Sequence, residues 1–453
     1  MINKLSPNLK KLHSHLMDLT ENVHEDIVLS VLLAKLSQAS VLNRVKSYAM
    51  LTEVFTNMYV INFIPSGSGK DKTKNKIDKN LFTEYYKTKA FKVEEYKKKV
   101  NYDLKHKAQD LELTDKQTQK FINENSPRDL SDVVPTATVE GFEALRLAYE
   151  KAGFGGTMAI ISEFSDYILH NKTENEIYLT AIKEVYETGD SYGKIIKKEK
   201  ESKSIKGVPN VALFQSTATG LDEHPGSEKM KAFLNKGLAR RSLICYPDPD
   251  NLEKKDLSYD EYEEFLKKVE RNNEEMQNII SRMVKINPNK NVFYFTRESE
   301  EYLYNIKKKT EYFEYKGKIE SLVADVRSRP RKIQRLAGLV ALVEHPVDTK
   351  VYIEDLQVAE SIINHYAKYL NKFIEKLYED DLQKLINYLK DNEGAHITKT
   401  DIRKQKFVHK NKFKSWFEDA IEEVKPLLLI EGYLLTDEDV GSIGKKYLLK
   451  KIK

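Results

Sequence analysis

The stretch from Tyr59 to Asp71 reads YVINFIPSGSGKD, and with Asn57 and Met58 before it an apolar run, NMYVINFI, ends in a Ser/Gly turn. A short apolar run bounded by a turn reads as a buried strand. Beyond the turn Ile77, Leu81 and Tyr85 recur every four residues, the spacing of one helix face. Strand, glycine turn and helix in this order suit phosphate binding. Glycines let the backbone curl with its N–H groups inward, a lysine meets the outer phosphates, and the helix N-terminus favours negative charge. Pro65, Ser66, Gly67, Ser68, Gly69 and Lys70 supply those parts. Against the pattern G-x-x-x-x-G-K-[ST], Ile64 stands at the first glycine and Asp71 at the hydroxyl. The plainer alternative is a surface turn that happens to contain SGSGK, and the flanking strand and helix argue against it. The expected ligands are ATP and Mg²⁺, with the Asp71 carboxylate as metal contact in place of the missing hydroxyl.

Working outward, Thr157 to Ile161 (TMAII) reads as a second buried strand, followed by Ser162 and Glu163. A strand ending in Asp-Glu is the usual form, so Glu163 is expected to orient or deprotonate water while metal binding has moved to Asp71. Its alternative is an ordinary solvated carboxylate. A third strand, Val208 to Gln215, ends at Gln215, Ser216 and Thr217, polar groups of which Ser216 is expected to sense the γ-phosphate. Arg240 and Arg241 follow Gly237-Leu238, and a guanidinium there could stabilise phosphate charge on a neighbouring subunit; a surface salt bridge is the bland alternative. Arg329, Arg331 and Arg335 read as the start of a lid helix, from which Arg335 is expected to reach the nucleotide in cis.

Strands alternating with helices predict an α/β core with a parallel sheet. The expected divisions are a helical N-terminal region (1–56), a P-loop core (57–255) carrying a lysine-rich helical insertion (87–128), a helical lid (256–375) and a winged helix (376–453) whose order is three helices and a hairpin. A chain of 453 residues is long enough for several such units. With 32% charged residues, no uncharged apolar run approaches the ~18 to 20 residues that cross a bilayer. The first residues lack a signal-peptide pattern, and the only cysteine is Cys245, which excludes a disulfide framework within the chain and fits the cytoplasm. A net charge of +5, from 75 basic and 70 acidic residues, is too balanced to establish nucleic-acid binding by itself.

The ordered series YVINFIPSGSGKD, TVEGFEALRLAYEKAGFGGTMAIISEFSDYI, IKEVYETGDSYGKIIKKEK, VPNVALFQSTATGLDE, FLNKGLARRSLICYPDP and RKIQRLAGLVALVEHP resembles the phage and prophage P-loop ATPases of the helicase-primase-like or replicative-helicase-like kind. That resemblance covers Asn57 to about Leu370. It implies a RecA/AAA+-like core, ATP hydrolysis and work on phage or mobile-element DNA. It also implies functional roles for Gly67, Gly69, Lys70, Glu163 and Arg240 or Arg241. Ile64, Asp71 and Ser162 depart from the usual pattern. No zinc ribbon or acidic polymerase constellation appears, so a cooperating primase would be another chain.

Two basic segments are expected to touch DNA, single-stranded or forked. One is the loop containing Lys197, Lys198 and Lys200; the other, in the C-terminal module, contains Arg403, Lys404, Lys406, Lys410 and Lys412. Solvated lysine runs are the alternative for the first. For the second, Glu418, Asp419, Glu422 and Glu423 on the same helix and Asp437 to Asp439 at the wing oppose a DNA groove. The expected assembly is a homo-oligomer, a hexamer being one form. The competing functions are a nucleotide-binding initiator or assembly protein with little turnover, and a packaging or defence ATPase.

Overall fold

The computed structural model describes residues 2–20, 23–64, 70–127, 129–131, 133–134, 138–169, 173–191, 204–217, 226–235, 237–247, 258–311, 320–378, 381–405, 407–408, 413–430, 433–439 and 445–451. Helices α1 (Pro7–Thr20) and α2 (Glu25–Val41) lead to a hairpin of β1 (Lys46–Ala49) and β2 (Thr52–Phe55), then to β3 (Tyr59–Phe63). After the glycine-rich segment come α3 (Lys70–Asn80), the long α4 (Thr83–Asp110) and α5 (Asp115–Asn125). Next are β4 (Val133–Val134), α6 (Val139–Ala152), β5 (Thr157–Ile161), α7 (Phe164–Leu169), α8 (Thr173–Glu184), β6 (Asn210–Ser216), α9 (Gly226–Asn235) and β7 (Ser242–Cys245). The chain continues through α10 (Tyr259–Val284), β8 (Val292–Phe295), α11 (Arg297–Glu311), α12 (Glu320–Glu344), β9 (Lys350–Val351) and α13 (Ile353–Tyr378). It ends with α14 (Asp381–Asp391), β10 (His396–Thr398), α15 (Lys399–Lys404), α16 (Phe413–Ile430), β11 (Tyr433–Asp439) and β12 (Lys445–Lys451).

The protein is mixed α/β. Its main sheet has the order β4-β5-β6-β3-β7 with every pairing parallel. All five residues of β3 are buried, as a central strand covered on both faces requires. Its alternation serves both faces. Asn62 accepts a hydrogen bond from Ser30 Oγ of α2 at 2.8 Å, whereas Tyr59 donates from its hydroxyl to the Ile182 carbonyl of α8 at 2.6 Å. Helix α6 starts where Thr138 accepts from the Gly141 N–H, and stops at Gly153 with φ of 75°. At Gly156, before β5, a Cβ would lie 2.3 Å from the Pro209 carbonyl oxygen, so only glycine lets β5 meet β6 there.

Two groups of elements are compact: Met1–Thr217 with Asn235–Leu370, and Ala218–Leu234 with Asn371–Lys453. In the first, α1, α2, α10 and α12 share one apolar cluster with the sheet, through Leu12, Leu32, Val60, Ile280, Leu336 and Leu339. The regions expected as separate N-terminal, core and lid divisions are therefore parts of one cluster. A small second sheet, β2-β1-β8-β9, lies within regions the sequence reads as wholly helical. Its strands have two to four residues, too short for an alternating pattern to stand out against the helices around them.

The reading of Arg329-Pro330-Arg331 as a helix start is corrected: α12 begins at Glu320 and runs through Pro330. A proline inside a helix removes one backbone hydrogen bond. Here the disturbed turn is tied down by buried Asp325, whose carboxylate lies 2.5 Å from Lys332 Nζ and 2.9 Å from Arg329 Nε.

In the second group α14, α15 and α16 pack with the antiparallel sheet β10-β12-β11 around Leu385, Ile402, Phe417, Val424 and Leu449. Thr398 and Asp401 form a reciprocal capping box at the start of α15. Leu427 to Ile430 finish α16, and the first strand of the hairpin starts at Tyr433. No helix among the described residues is long and apolar enough to cross a membrane.

Candidate functional site

In a parallel sheet ligands collect outside the carboxyl ends of the strands, where the connections leave to either face. Phe63, the last residue of β3, pairs with Ser216, the last of β6, and Ile161, the last of β5, pairs with Phe214. The Ile64 N–H donates to the Ser216 carbonyl at 2.8 Å, so the chain enters the Pro65–Gly69 segment directly from this edge. Pro65, Ser66, Gly67, Ser68 and Gly69 themselves lie outside the described residues, as does the Lys70 side chain. Lys70 is the first residue of α3, so β3 and α3 flank the glycine-rich segment.

Glu163 is exposed, two residues beyond the end of β5. One strand, β6, separates β5 from β3, so at about 5 Å per strand the end of β5 stands roughly 10 Å from the end of β3 across the sheet edge. Ser216 lies between them and is 1% exposed. Its hydroxyl oxygen accepts the Ser165 N–H at 2.8 Å, and Ser165 Oγ donates to the Thr217 carbonyl at 2.5 Å. The ends of β5 and β6 are thus laced together by Ser165, a residue that sequence reasoning passed over because the pairing joins positions far apart in the chain. Ser216 keeps its own hydroxyl proton for donation. Asp71 is half-buried in the first turn of α3. Thr73, a turn on from Lys70, has a buried hydroxyl without a hydrogen-bond partner among the described residues. It is a second hydroxyl near the loop that the sequence pattern does not single out, because it falls outside the spacing that pattern prescribes.

Three expected arginines belong to the opposite edge. Arg335 is corrected from a nucleotide contact to a structural group. Its guanidinium is fully buried, donates to the Phe55 carbonyl at 2.9 Å and to Asn57 Oδ1, pairs with Glu187 at 2.9 Å, and lies 4.1 Å over the Tyr186 ring. Asn57 precedes β3, six residues before Phe63, which places Arg335 about 20 Å from the loop end of the strand. Arg240 and Arg241 precede β7, whose first residue Ser242 pairs with Tyr59. Both therefore lie at the amino end of the sheet, away from the edge where the chain leaves β3 at Phe63. Arg241 donates to the Gly237 carbonyl at 2.8 Å and lies 3.8 Å from Glu187. Burial, then the charge of Arg240, push its guanidinium below the usual range. Arg240 is exposed, with its carbonyl accepting from Ser328 Oγ at 2.7 Å.

Of the residues expected to touch DNA, Lys197, Lys198, Lys200, Lys406, Lys410 and Lys412 lie outside the described residues. Arg403 and Lys404 are exposed on α15, and Lys404 is 3.3 Å from Asp401. The acidity expected of the hairpin is partly neutralised: Asp437 lies 3.1 Å from Lys445 and 3.6 Å from Lys425, and the hydrogen bond from Lys445 leads the effects that hold its carboxyl below the ordinary range. Phe413 and Phe417 are core residues with Trp416 packed against them.

Comparison of the sequence with protein-family models and with curated proteins finds no match.

Proposed function

We propose that this chain is an ATP-hydrolysing DNA motor of the helicase type, built on a RecA/AAA+-like P-loop core and carrying a C-terminal winged helix. The observation that carries the reading is the strand order. The strand leading into SGSGK lies between β6 and β7, and the strand followed by Glu163 is one further away, across β6. A P-loop ATPase that uses an acidic residue to activate water needs that separation, because the water, the terminal phosphate and Mg²⁺ must fit between loop and acid.

In this reading the backbone of Pro65 to Gly69 cradles the phosphates, Lys70 balances their charge, Asp71 contacts Mg²⁺, Glu163 orients water, and Ser216 donates to the γ-phosphate. The exposure of Arg240 at the far edge supports a homo-oligomer in which it meets a neighbour's nucleotide, as in a ring. The order α14-β10-α15-α16-β11-β12 supports the winged helix, with Arg403 and Lys404 facing DNA phosphate. A second reading, a nucleotide-binding initiator or assembly protein with little turnover, is favoured by Ser162 standing where an acid is usual.

Steady-state ATP hydrolysis with and without single-stranded DNA tests the proposal. The motor turns over and is stimulated by the strand; background rates in both conditions support the second reading and reject the first.

A further inference from the structure

Two fully buried hydrogen-bond donors flank the glycine-rich segment, and neither has an acceptor among the described residues. Asn62, three residues before Pro65, lies in β3 between Gln215 of β6 and Cys245 of β7. Its Oδ1 accepts from Ser30 Oγ at 2.8 Å, but its Nδ2 is unpartnered. Thr73, four residues after Gly69, shares a face of α3 with Ile77, a member of the apolar cluster, and its hydroxyl is likewise unpartnered.

A buried polar group left without its hydrogen bond destabilises a fold, and valine at position 73 would fill the same volume without that penalty. Such groups are rare in native proteins, and here two of them flank one short loop.

The loop itself can supply the acceptors. A backbone that curls with its N–H groups onto phosphate turns carbonyls the opposite way, toward the surrounding core, and each carbonyl there needs a donor. A threonine in a helix reaches the carbonyl four residues back, which for Thr73 is that of Gly69. Asn62 stands two residues before Ile64, whose N–H is fixed to the Ser216 carbonyl, so its amide lies beside the point where the chain leaves the sheet.

We propose that Asn62 and Thr73 are positioning residues of the phosphate loop: their N–H and O–H groups donate to loop carbonyls that face outward when the loop cradles the phosphates of a nucleotide. The inference rests on the phosphate-loop reading and extends it to two side chains that do not touch the ligand. Both bonds belong to the bound state, so removing them lowers nucleotide affinity without weakening the free protein.

The test is calorimetric titration of the full chain with ADP in the presence of Mg²⁺, beside melting of the same proteins without nucleotide. Thr73→Val keeps the shape and removes the hydroxyl. It is expected to melt at or above the wild-type temperature and to bind ADP about fivefold more weakly, the loss of one neutral hydrogen bond. Thr73→Ser is expected to bind within about twofold of wild type, because the hydroxyl is back. Asn62→Leu is expected to weaken binding about fivefold, with Ser30 Oγ keeping its bond to the Ile27 carbonyl at 2.9 Å, and if it does not fold Thr73→Val decides alone. Affinity of Thr73→Val within about twofold of wild type overturns the proposal. A weaker Thr73→Val that also melts lower, or that serine does not rescue, marks a structural role and overturns it too. A folded Asn62→Leu that binds like wild type removes Asn62 from the role. Binding lost in Lys70→Ala but kept in Thr73→Val sinks this inference alone, whereas wild-type binding that is absent or indifferent to Lys70→Ala sinks the phosphate-loop reading and this inference with it.

Discussion

The Ser165 amide and the Ser216 hydroxyl meet at 2.8 Å and join the carboxyl ends of β5 and β6, so the residue expected to sense phosphate is also the one that positions the segment after Glu163. Ser216→Ala removes the acceptor and leaves a buried N–H without it, at a cost of about 1 to 3 kcal/mol. Lower melting temperature together with a larger loss of turnover than Ser165→Ala shows is the expected result. A melting curve equal to wild type would reject the structural half of this role.

Lys70→Ala is expected to abolish nucleotide binding without altering far-ultraviolet circular dichroism, because it deletes one charge at the first residue of α3. Glu163→Gln should keep nucleotide affinity and lose hydrolysis by about a hundredfold or more, as removal of a general base does. Equal loss of affinity in Glu163→Gln would instead assign that carboxylate to the metal.

Arg335 and Arg240 separate structure from assembly. Arg335→Met takes the hydrogen bonds from the Phe55 carbonyl and the buried Asn57 side chain, while Glu187 is left solvated, so destabilisation of about 1 to 3 kcal/mol is expected in chemical denaturation. Arg240→Ala should leave stability within about 0.5 kcal/mol, since the side chain is exposed, while turnover in the assembled state falls. Mixing Arg240→Ala with Lys70→Ala subunits should regain part of the activity if the arginine acts across an interface; no recovery at any ratio counts against it.

Asp71→Ala is expected to raise the Mg²⁺ concentration needed for half-maximal turnover, and Asp71→Ser to bring it back toward wild type. If the carboxylate only favours the helix start, alanine costs at most about 1 kcal/mol of stability and the Mg²⁺ midpoint stays where it was.

Asp325 supplies a pH dependence. Burial would raise its carboxyl, but the charges of Lys332 and Arg329 and their hydrogen bonds outweigh it and hold the carboxyl below the ordinary value. A depressed folded value means stability that is complete above the unfolded value, near pH 4, and is lost as pH falls further through the folded one. Urea midpoints should decline below about pH 4 in the wild type, and Asp325→Asn should be less stable at neutral pH with a shallower acid decline. Parallel acid profiles for the two proteins would remove Asp325 from this role.

Local sequence carried the elements whose signal lies in neighbouring residues. TMAII is β5 residue for residue, because a five-residue run between a glycine pair and a polar end has the length of a strand and not of an ordinary helix. The order of strand, SGSGK and helix was legible in the same way. The hairpin at Met50-Leu51 was not, since neither residue is a turn former and the Glu300 carboxylate that holds the turn lies on a distant helix. Nor was the fate of Arg335. As sequence it was one of several arginines near a proline; only the packing of α12 against the amino end of β3 turned it from a phosphate contact into a buried strut. What the sequence determined by itself is the local conformation of the longer and strongly patterned elements, such as β3, β5 and α3, because propensity and spacing act within a few residues. The sheet order β4-β5-β6-β3-β7, which sets Glu163 across β6 from the loop and sends the arginines to the other edge, was decided by tertiary structure alone, because strand pairing and helix burial join residues that no local pattern connects.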